Sequence, residues 1–185
     1  MIKILITGSS GFVGSNLIKY LDNRYAIFKV KYDELINFND SFDVVINLAG
    51  IAHDLDNKYI AEDYYKINTE FSNKLYDLFL KSNATVFITL SSVKAILDFA
   101  NSEITEETIP SPSSHYGKSK LLAEEYIFST KIPLGKRVYV LRPCIIHGNG
   151  IKGNLKLLYN ILMKYRFWPL NDFNNKRSYL TVENL

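Results

Sequence analysis

Three glycines spaced three apart interrupt the passage from an apolar run to an amphipathic one near the amino terminus, in KILITGSSGFVGSNLIKYL. The run Ile2 to Thr7 is short, apolar and rich in β-branched residues, which predicts a buried strand. Gly11 to Leu21 carries Phe12, Val13, Leu17, Ile18 and Leu21 at helical spacing. A strand that turns into a helix through Gly8, Gly11 and Gly14 limits the fold severely. One glycine permits the tight turn, one lets a ligand approach the backbone, and one lets helix and strand pack closely.

The rest of the sequence repeats the alternation. Strand patterns fall at Tyr25 to Lys31, Asp43 to Asn47, Thr85 to Leu90 and Arg137 to Leu141. Helical patterns fall at Asn68 to Lys81, with Phe71, Leu75, Leu78 and Phe79 on one face, at Tyr116 to Ser129, and at Leu155 to Tyr165. Continuous apolar strands between helices imply an α/β fold, a doubly wound parallel sheet covered on both faces. The loop from about Ile96 to Ser114 is rich in Ser, Pro and acidic residues and is expected to sit over a site. Residues 1–150 read as a dinucleotide-binding domain, and 151–185 as the start of a substrate-binding region.

Composition removes several function classes. With 185 residues, 47% of them hydrophobic, one cored domain is expected. The net charge of +3, without a dense Lys/Arg cluster, gives no nucleic-acid footprint. The single cysteine, Cys144, forbids an internal disulfide and is expected to fill apolar space. No Cys/His spacing suits a metal. No signal peptide or membrane-length apolar run is visible, so a cytoplasmic protein is expected.

The glycine loop predicts a pyrophosphate ligand, since the helix start offers free N–H groups and the positive end of its dipole. The candidate contacts are Gly8, Ser10, Gly11, Phe12, Val13 and Gly14. Cofactor choice depends on the end of the second strand. Lys31 favours NADP and Asp33 favours NAD, and both remain open, with NAD slightly ahead.

A second constellation lies downstream. In HYGKSKLLAEEY, Tyr116 and Lys120 are four apart and share a helix face. A lysine ammonium beside a phenol stabilises the phenolate and lowers its pKa toward a value useful for proton transfer. The strand before it ends in TLSSVKA, so Ser91 or Ser92 points toward the ligand crevice. His53 follows a strand end and could face substrate. His115 reads as a loop residue.

Taken in order, TGSSGFVG, NLAG, SSVKA, YGKSK, LRPCIIHG and KRSYLTVENL resemble the extended short-chain dehydrogenase/reductase superfamily, specifically its NAD-dependent epimerase/dehydratase family. The resemblance runs from residue 7 to the carboxyl end. It implies that Tyr116 is the general acid/base. Lys120 binds the nicotinamide ribose and tunes Tyr116, and Ser92 binds the reacting oxygen. It places Asn47, Leu48, Ala49 and Gly50 along the adenosine half, Asn68 at the family's helix asparagine and Pro143 beside the nicotinamide. Arg177 matches an arginine that reaches a substrate diphosphate, and Asn154 is a further candidate there. His147 replaces a common tyrosine, with an expected effect on packing.

Two departures from the family pattern stand out. The segment from Tyr32 to Phe42 is short for the usual extra helix and strand, and the small carboxyl-terminal substrate lobe is expected to be largely missing after Leu185. The resemblance implies NAD(P)-dependent chemistry at C4 of a nucleotide sugar, most naturally a UDP-sugar. An epimerase or a 4-keto-reductase of surface-polysaccharide synthesis fits. The alternatives are a catalytically silent NAD(P)-binding module and a reductase of non-nucleotide carbonyl substrates. Relatives dimerise through helices that would correspond to 68–81 and 116–129.

Overall fold

The computed structural model describes residues 1–31, 41–52, 58–100, 102–150, 154–166 and 176–185. Five parallel strands form one sheet: β1 (Lys3–Thr7), β2 (Ala26–Val30), β3 (Val44–Asn47), β4 (Val86–Leu90) and β5 (Arg137–Leu141), in the order β2-β1-β3-β4-β5. The chain thus starts in the interior of the sheet and winds outward both ways, as a doubly wound sheet does. Among the described residues β2 is the edge strand next to β1.

Register explains the two cores. Leu5, Val45 and Phe87 are direct cross-strand partners and point to one face. There they meet Phe71, Leu75, Tyr76 and Phe79 from the second helical stretch and Ile127 from the third. Ile6, Ile46 and Ile88 form the next row and point to the opposite face. Leu17, Ile18 and Leu21 of α1 (Phe12–Leu21) cover that side. Each such side chain, fully buried, contributes about 1.5–3 kcal/mol. Apolar residues at consecutive central positions of β1, β3 and β4 are therefore what a sheet with helices on both faces requires.

The second helical stretch begins earlier than its periodicity predicts. It runs as α2 (Ala61–Tyr64), a π-helical segment (Tyr65–Phe71) and α3 (Ser72–Lys81). Asp63 starts it by accepting from the Ile60 N–H at 3.1 Å. α4 (His115–Ser129) begins one residue before the expected Tyr116, with Ser114 as its cap: the hydroxyl accepts from Gly117 N at 3.0 Å. Lys136 closes the far end of α3, donating to the carbonyls of Phe79, Ser82 and Ala84 at 3.0, 2.8 and 2.6 Å.

Contacts divide the chain into two compact units, Met1–Arg142 and Pro143–Leu185, eight residues before the expected boundary. The second unit contains β6 (Ile145–His147) and β7 (Tyr179–Thr181), which pair in parallel, and α5 (Asn154–Tyr165). The two strands are three residues each, too short to show a pattern in sequence. No helix among the described residues is long and apolar enough to cross a membrane.

Candidate active site

The glycine loop divides its labour. Gly8 has φ +67°, and a Cβ there would lie 2.4 Å from the backbone carbon and oxygen of Leu48. Gly14 is buried, and its Cβ would lie 2.3 Å from the Gly8 carbonyl oxygen. Both glycines are thus demanded by the chain's own packing. Gly11 N donates to Gly8 O at 3.0 Å, closing the turn, and Gly11 itself is exposed. It leaves the start of α1 bare, so Ser10, Phe12 and Val13 border an approach to free helix N–H groups.

The carboxyl ends of the inner strands are tied together by side chains. Thr7, Asn47 and Thr89 are register partners and all buried. Thr7 Oγ1 donates to Asn47 Oδ1 at 2.7 Å. Asn47 Nδ2 donates to Ser72 Oγ at 2.9 Å and Thr89 Oγ1 at 3.3 Å. The Asn47 amide is therefore committed to the protein, a structural task that its place in the motif did not reveal. Leu48 and Ala49 pack into the two cores, while Gly50 is exposed.

Asn68 has a similar task. It lies fully buried in the π-helical segment, accepts from Ile51 N at 2.9 Å, and donates to Ile51 O at 3.1 Å and Ser119 Oγ at 3.0 Å. It clamps the chain after β3 to α4. Gly50 lies beside it, where a Cβ would come within 3.0 Å of both Asn68 Oδ1 and Lys120 Nζ. The glycine thus keeps open a place against the Lys120 ammonium.

Tyr116 and Lys120 project from one face of α4 toward the end of β4. The Ser92 side chain acts on the Tyr116 hydroxyl, drawing its pKa down. Ser92 Oγ also accepts from Lys94 N at 3.2 Å, which caps a short 3-10 turn at Val93–Ala95. Ser92, rather than Ser91, is therefore the serine that meets the tyrosine. Ser91 continues the sheet, donating its N–H to Leu141 O at 2.7 Å, and its buried hydroxyl has no partner. Lys120 Nζ, 8% exposed, donates to Leu90 O at 2.9 Å.

The electrostatics differ from the expectation that Lys120 dominates the phenol. Burial pushes the Tyr116 hydroxyl above its ordinary value, and the Ser92 hydrogen bond draws it back. Burial brings the Lys120 ammonium down to about 8, against the attraction of Glu124, which raises it. Glu124 is 2% exposed and takes a bidentate ion pair from Arg142, whose Nε lies 3.0 and 2.9 Å from its two oxygens. Neither Glu124 nor Arg142 stands out in the sequence. The one available signal is that 116, 120 and 124 are each four apart.

Lys31 follows directly on β2, whose last residue pairs with Thr7 beside the glycine loop. Asp33 and His53 lie outside the described residues. His115 is the first residue of α4, and its Nδ1 lies 3.2 Å from the Tyr65 hydroxyl. In the second unit, Pro143 is the first residue, Asn154 begins α5, and Arg177 lies two residues before β7 on an exposed stretch. His147 packs edge-on to Tyr179 with ring centroids 6.2 Å apart, a packing role as expected. Cys144 is half-buried, more open than the apolar filler expected. Among the described residues no group of His, Cys, Asp and Glu could hold a metal.

Comparisons with known proteins fit this geometry. The chain belongs to the NAD dependent epimerase/dehydratase family, whose pattern matches residues 4–185. It is 31% identical to the UDP-glucose 4-epimerase of Vibrio cholerae over 215 residues, covering 99% of this chain and 64% of that protein. RMD from Pseudomonas aeruginosa, solved with NADPH, superposes with a TM-score of 0.75 at 26% identity, over 99% of this chain and 70% of that one. MoeE5, solved with UDP-glucose and NAD, superposes with a TM-score of 0.77 at 19% identity, over 98% of this chain and 68% of that one, a likeness of fold.

Proposed function

We propose that this chain carries the dinucleotide-binding and proton-transfer half of an NAD(P)-dependent enzyme acting at C4 of a nucleotide-activated sugar, as an epimerase or a 4-keto-reductase. The observation that carries the reading is the Lys120 ammonium bonded to Leu90 O at the carboxyl end of β4, with Tyr116 one helical turn before it on α4 and under the influence of Ser92 at the same strand end. The likeness to a UDP-glucose 4-epimerase supports the substrate class.

Gly8 to Gly14 would hold the pyrophosphate against α1, and the open place at Gly50 would admit a ribose to Lys120. Lys31, directly after β2, would read the adenosine ribose of the dinucleotide. The nicotinamide supplies the hydride acceptor and donor when bound. The chain itself manages the proton. Tyr116 removes it from the sugar 4-hydroxyl, or returns it to a 4-keto oxygen, and Ser92 donates a hydrogen bond to that oxygen. A phenol raised by burial needs a cation nearby to ionise, and Lys120 is that cation. Arg177 would meet the substrate diphosphate, for which a guanidinium fork is suited.

The test is Tyr116→Phe. C4 epimerisation of UDP-glucose and UDP-N-acetylglucosamine in the presence of NAD, read from the sugar product, and reduction of a 4-keto UDP-sugar by NADH or NADPH, read from nicotinamide oxidation, are both measured; whichever the native chain performs should fall by about 100-fold or more, while dinucleotide affinity changes little. Unchanged turnover would refute the catalytic assignment.

A further inference from the structure

We propose that Glu124, clamped by Arg142, is a positioning residue that holds the Lys120 ammonium in place and keeps it charged. The inference rests on the role given to Lys120 above, but its central measurement needs no turnover.

The face of α4 that carries Tyr116, Lys120 and Glu124 is pinned to the carboxyl edge of the sheet at two points. Lys120 meets Leu90 O, and Glu124 meets Arg142. These anchors are themselves joined. Leu90 pairs in register with Leu141, and Ser91 N donates to Leu141 O at 2.7 Å. The strand ends presenting Leu90, Ser92 and Arg142 are therefore one rigid platform. Glu124 fixes the helix to it one turn beyond Lys120.

Burial makes the carboxylate more than a strut. A carboxylate 2% exposed is costly unless it is paired. The Arg142 fork supplies that pairing, its Nε lying 3.0 and 2.9 Å from the two carboxylate oxygens. Lys120 and Glu124 line the same narrow recess, together with Ser91, whose hydroxyl has no partner. Their attraction thus acts through low-dielectric space rather than bulk water.

The charges around Lys120 can be named element by element. α4 contributes Tyr116, neutral because burial raises it, and Glu124. The end of β5 contributes Arg142, already engaged by Glu124. The π-helical segment contributes Asn68, and the chain after β3 and β4 contributes Gly50 and Ser91, all neutral. Glu124 is the anion among these described neighbours. Burial has already brought the ammonium to about 8. Glu124→Gln would lower it further and leave much of Lys120 uncharged near neutral pH. Affinity that depends on the ammonium would then be lost at a lower pH as pH rises.

The experiment follows the Cε–Hε resonance of Lys120 by NMR across pH, assigned with Lys120→Arg. Glu124→Gln keeps the size of the side chain and removes its charge. Its Lys120 midpoint should fall by about one unit or more, and the basic limb of NAD(P)H affinity should move with it. Arg142→Lys keeps a cation on Glu124 and should leave the midpoint near that of the native chain. If Glu124→Gln folds poorly, Glu124→Gln/Arg142→Met removes both charges, leaves no unpaired buried ion, and should show the same fall. An unchanged midpoint in either variant, with only a lower unfolding temperature, would make the pair merely structural and overturn the proposal. Loss of the Tyr116 assignment alone would leave this titration intact.

Discussion

Replacing Asp98 with alanine should loosen the start of the helix that carries Tyr116 and Lys120. The carboxylate accepts four hydrogen bonds. Oδ2 takes Ser113 N at 2.7 Å, Ser113 Oγ at 3.0 Å and Ser114 N at 2.8 Å, and Oδ1 takes Ser114 Oγ at 2.5 Å. Ser114 in turn accepts from Gly117 N, so Asp98 fixes the hydroxyl that caps α4. Bonds to a charged group are worth about 1.5–3 kcal/mol when protected from water. The two to Ser113 are exposed and water replaces them readily, so the two to Ser114 carry most of the effect. A loss of about 2 kcal/mol follows, with the weakened cap included. For a chain of this size that lowers Tm by about 4–8 °C. The pH dependence gives a second handle. Burial raises the Asp98 carboxyl, but the bonds from Ser114 and Ser113 outweigh it and hold it below its ordinary value. A depressed carboxyl stabilises fully above the unfolded value and loses that stabilisation as pH falls through the folded one. The native chain and Asp98→Ala should therefore differ in Tm at pH 7 and converge under acid. Calorimetry at both ends decides it. Equal Tm at pH 7, or a gap that persists well below the aspartate range, would refute the clamp.

Two other substitutions test the strand ends. Gly8→Ala should destabilise far more than Gly135→Ala in chemical unfolding and should also weaken NAD(P)H binding. Both have positive φ, +67° and +84°, and share a strain of about 1 kcal/mol, but only Gly8 would drive a Cβ into backbone. Equal losses would show that conformation alone, and not contact with Leu48, explains the glycine. Asn68→Ala strips both partners from the buried Ile51 peptide groups. It should cost about 2–4 kcal/mol in a urea titration, and a loss under 1 kcal/mol would show that water takes its place.

The elements legible in the sequence were those whose pattern is long and local. β1, the glycine loop and α1 follow from an apolar run, three glycines and a helical stripe, and the structure departs from them by one residue. Tyr116 and Lys120 were legible as an i, i+4 pair on one helix face, whereas the strand end left Ser91 and Ser92 open and only the family resemblance pointed to Ser92. What stayed hidden depends on register or on tertiary contact. AEDYYKI carries no apolar stripe, so the start of the second helical stretch, and the π geometry that aims Asn68, gave no signal. Asn47 looked like a ligand contact because its motif says where it lies. Only the strand register shows that its amide faces Thr7 and Thr89. Nothing in the sequence marks Asp98, Glu124 or Arg142, since the partner that buries or fixes each one lies 15 or more residues away.

The row Thr7–Asn47–Thr89 has a consequence for how the rim of the sheet moves. Backbone ladders alone let the last residue of each strand open by itself. Here side chains bond across β1, β3 and β4 at their final turns, and Thr7 Oγ1 also accepts from Ala49 N at 3.3 Å. Opening one strand end must break bonds to its neighbours. Amide hydrogens at the ligand-facing rim, that of Ala49 among them, therefore exchange with solvent on the timescale of the whole core rather than of a fraying edge. Binding at such a rim carries little ordering cost, because the strand ends are already held.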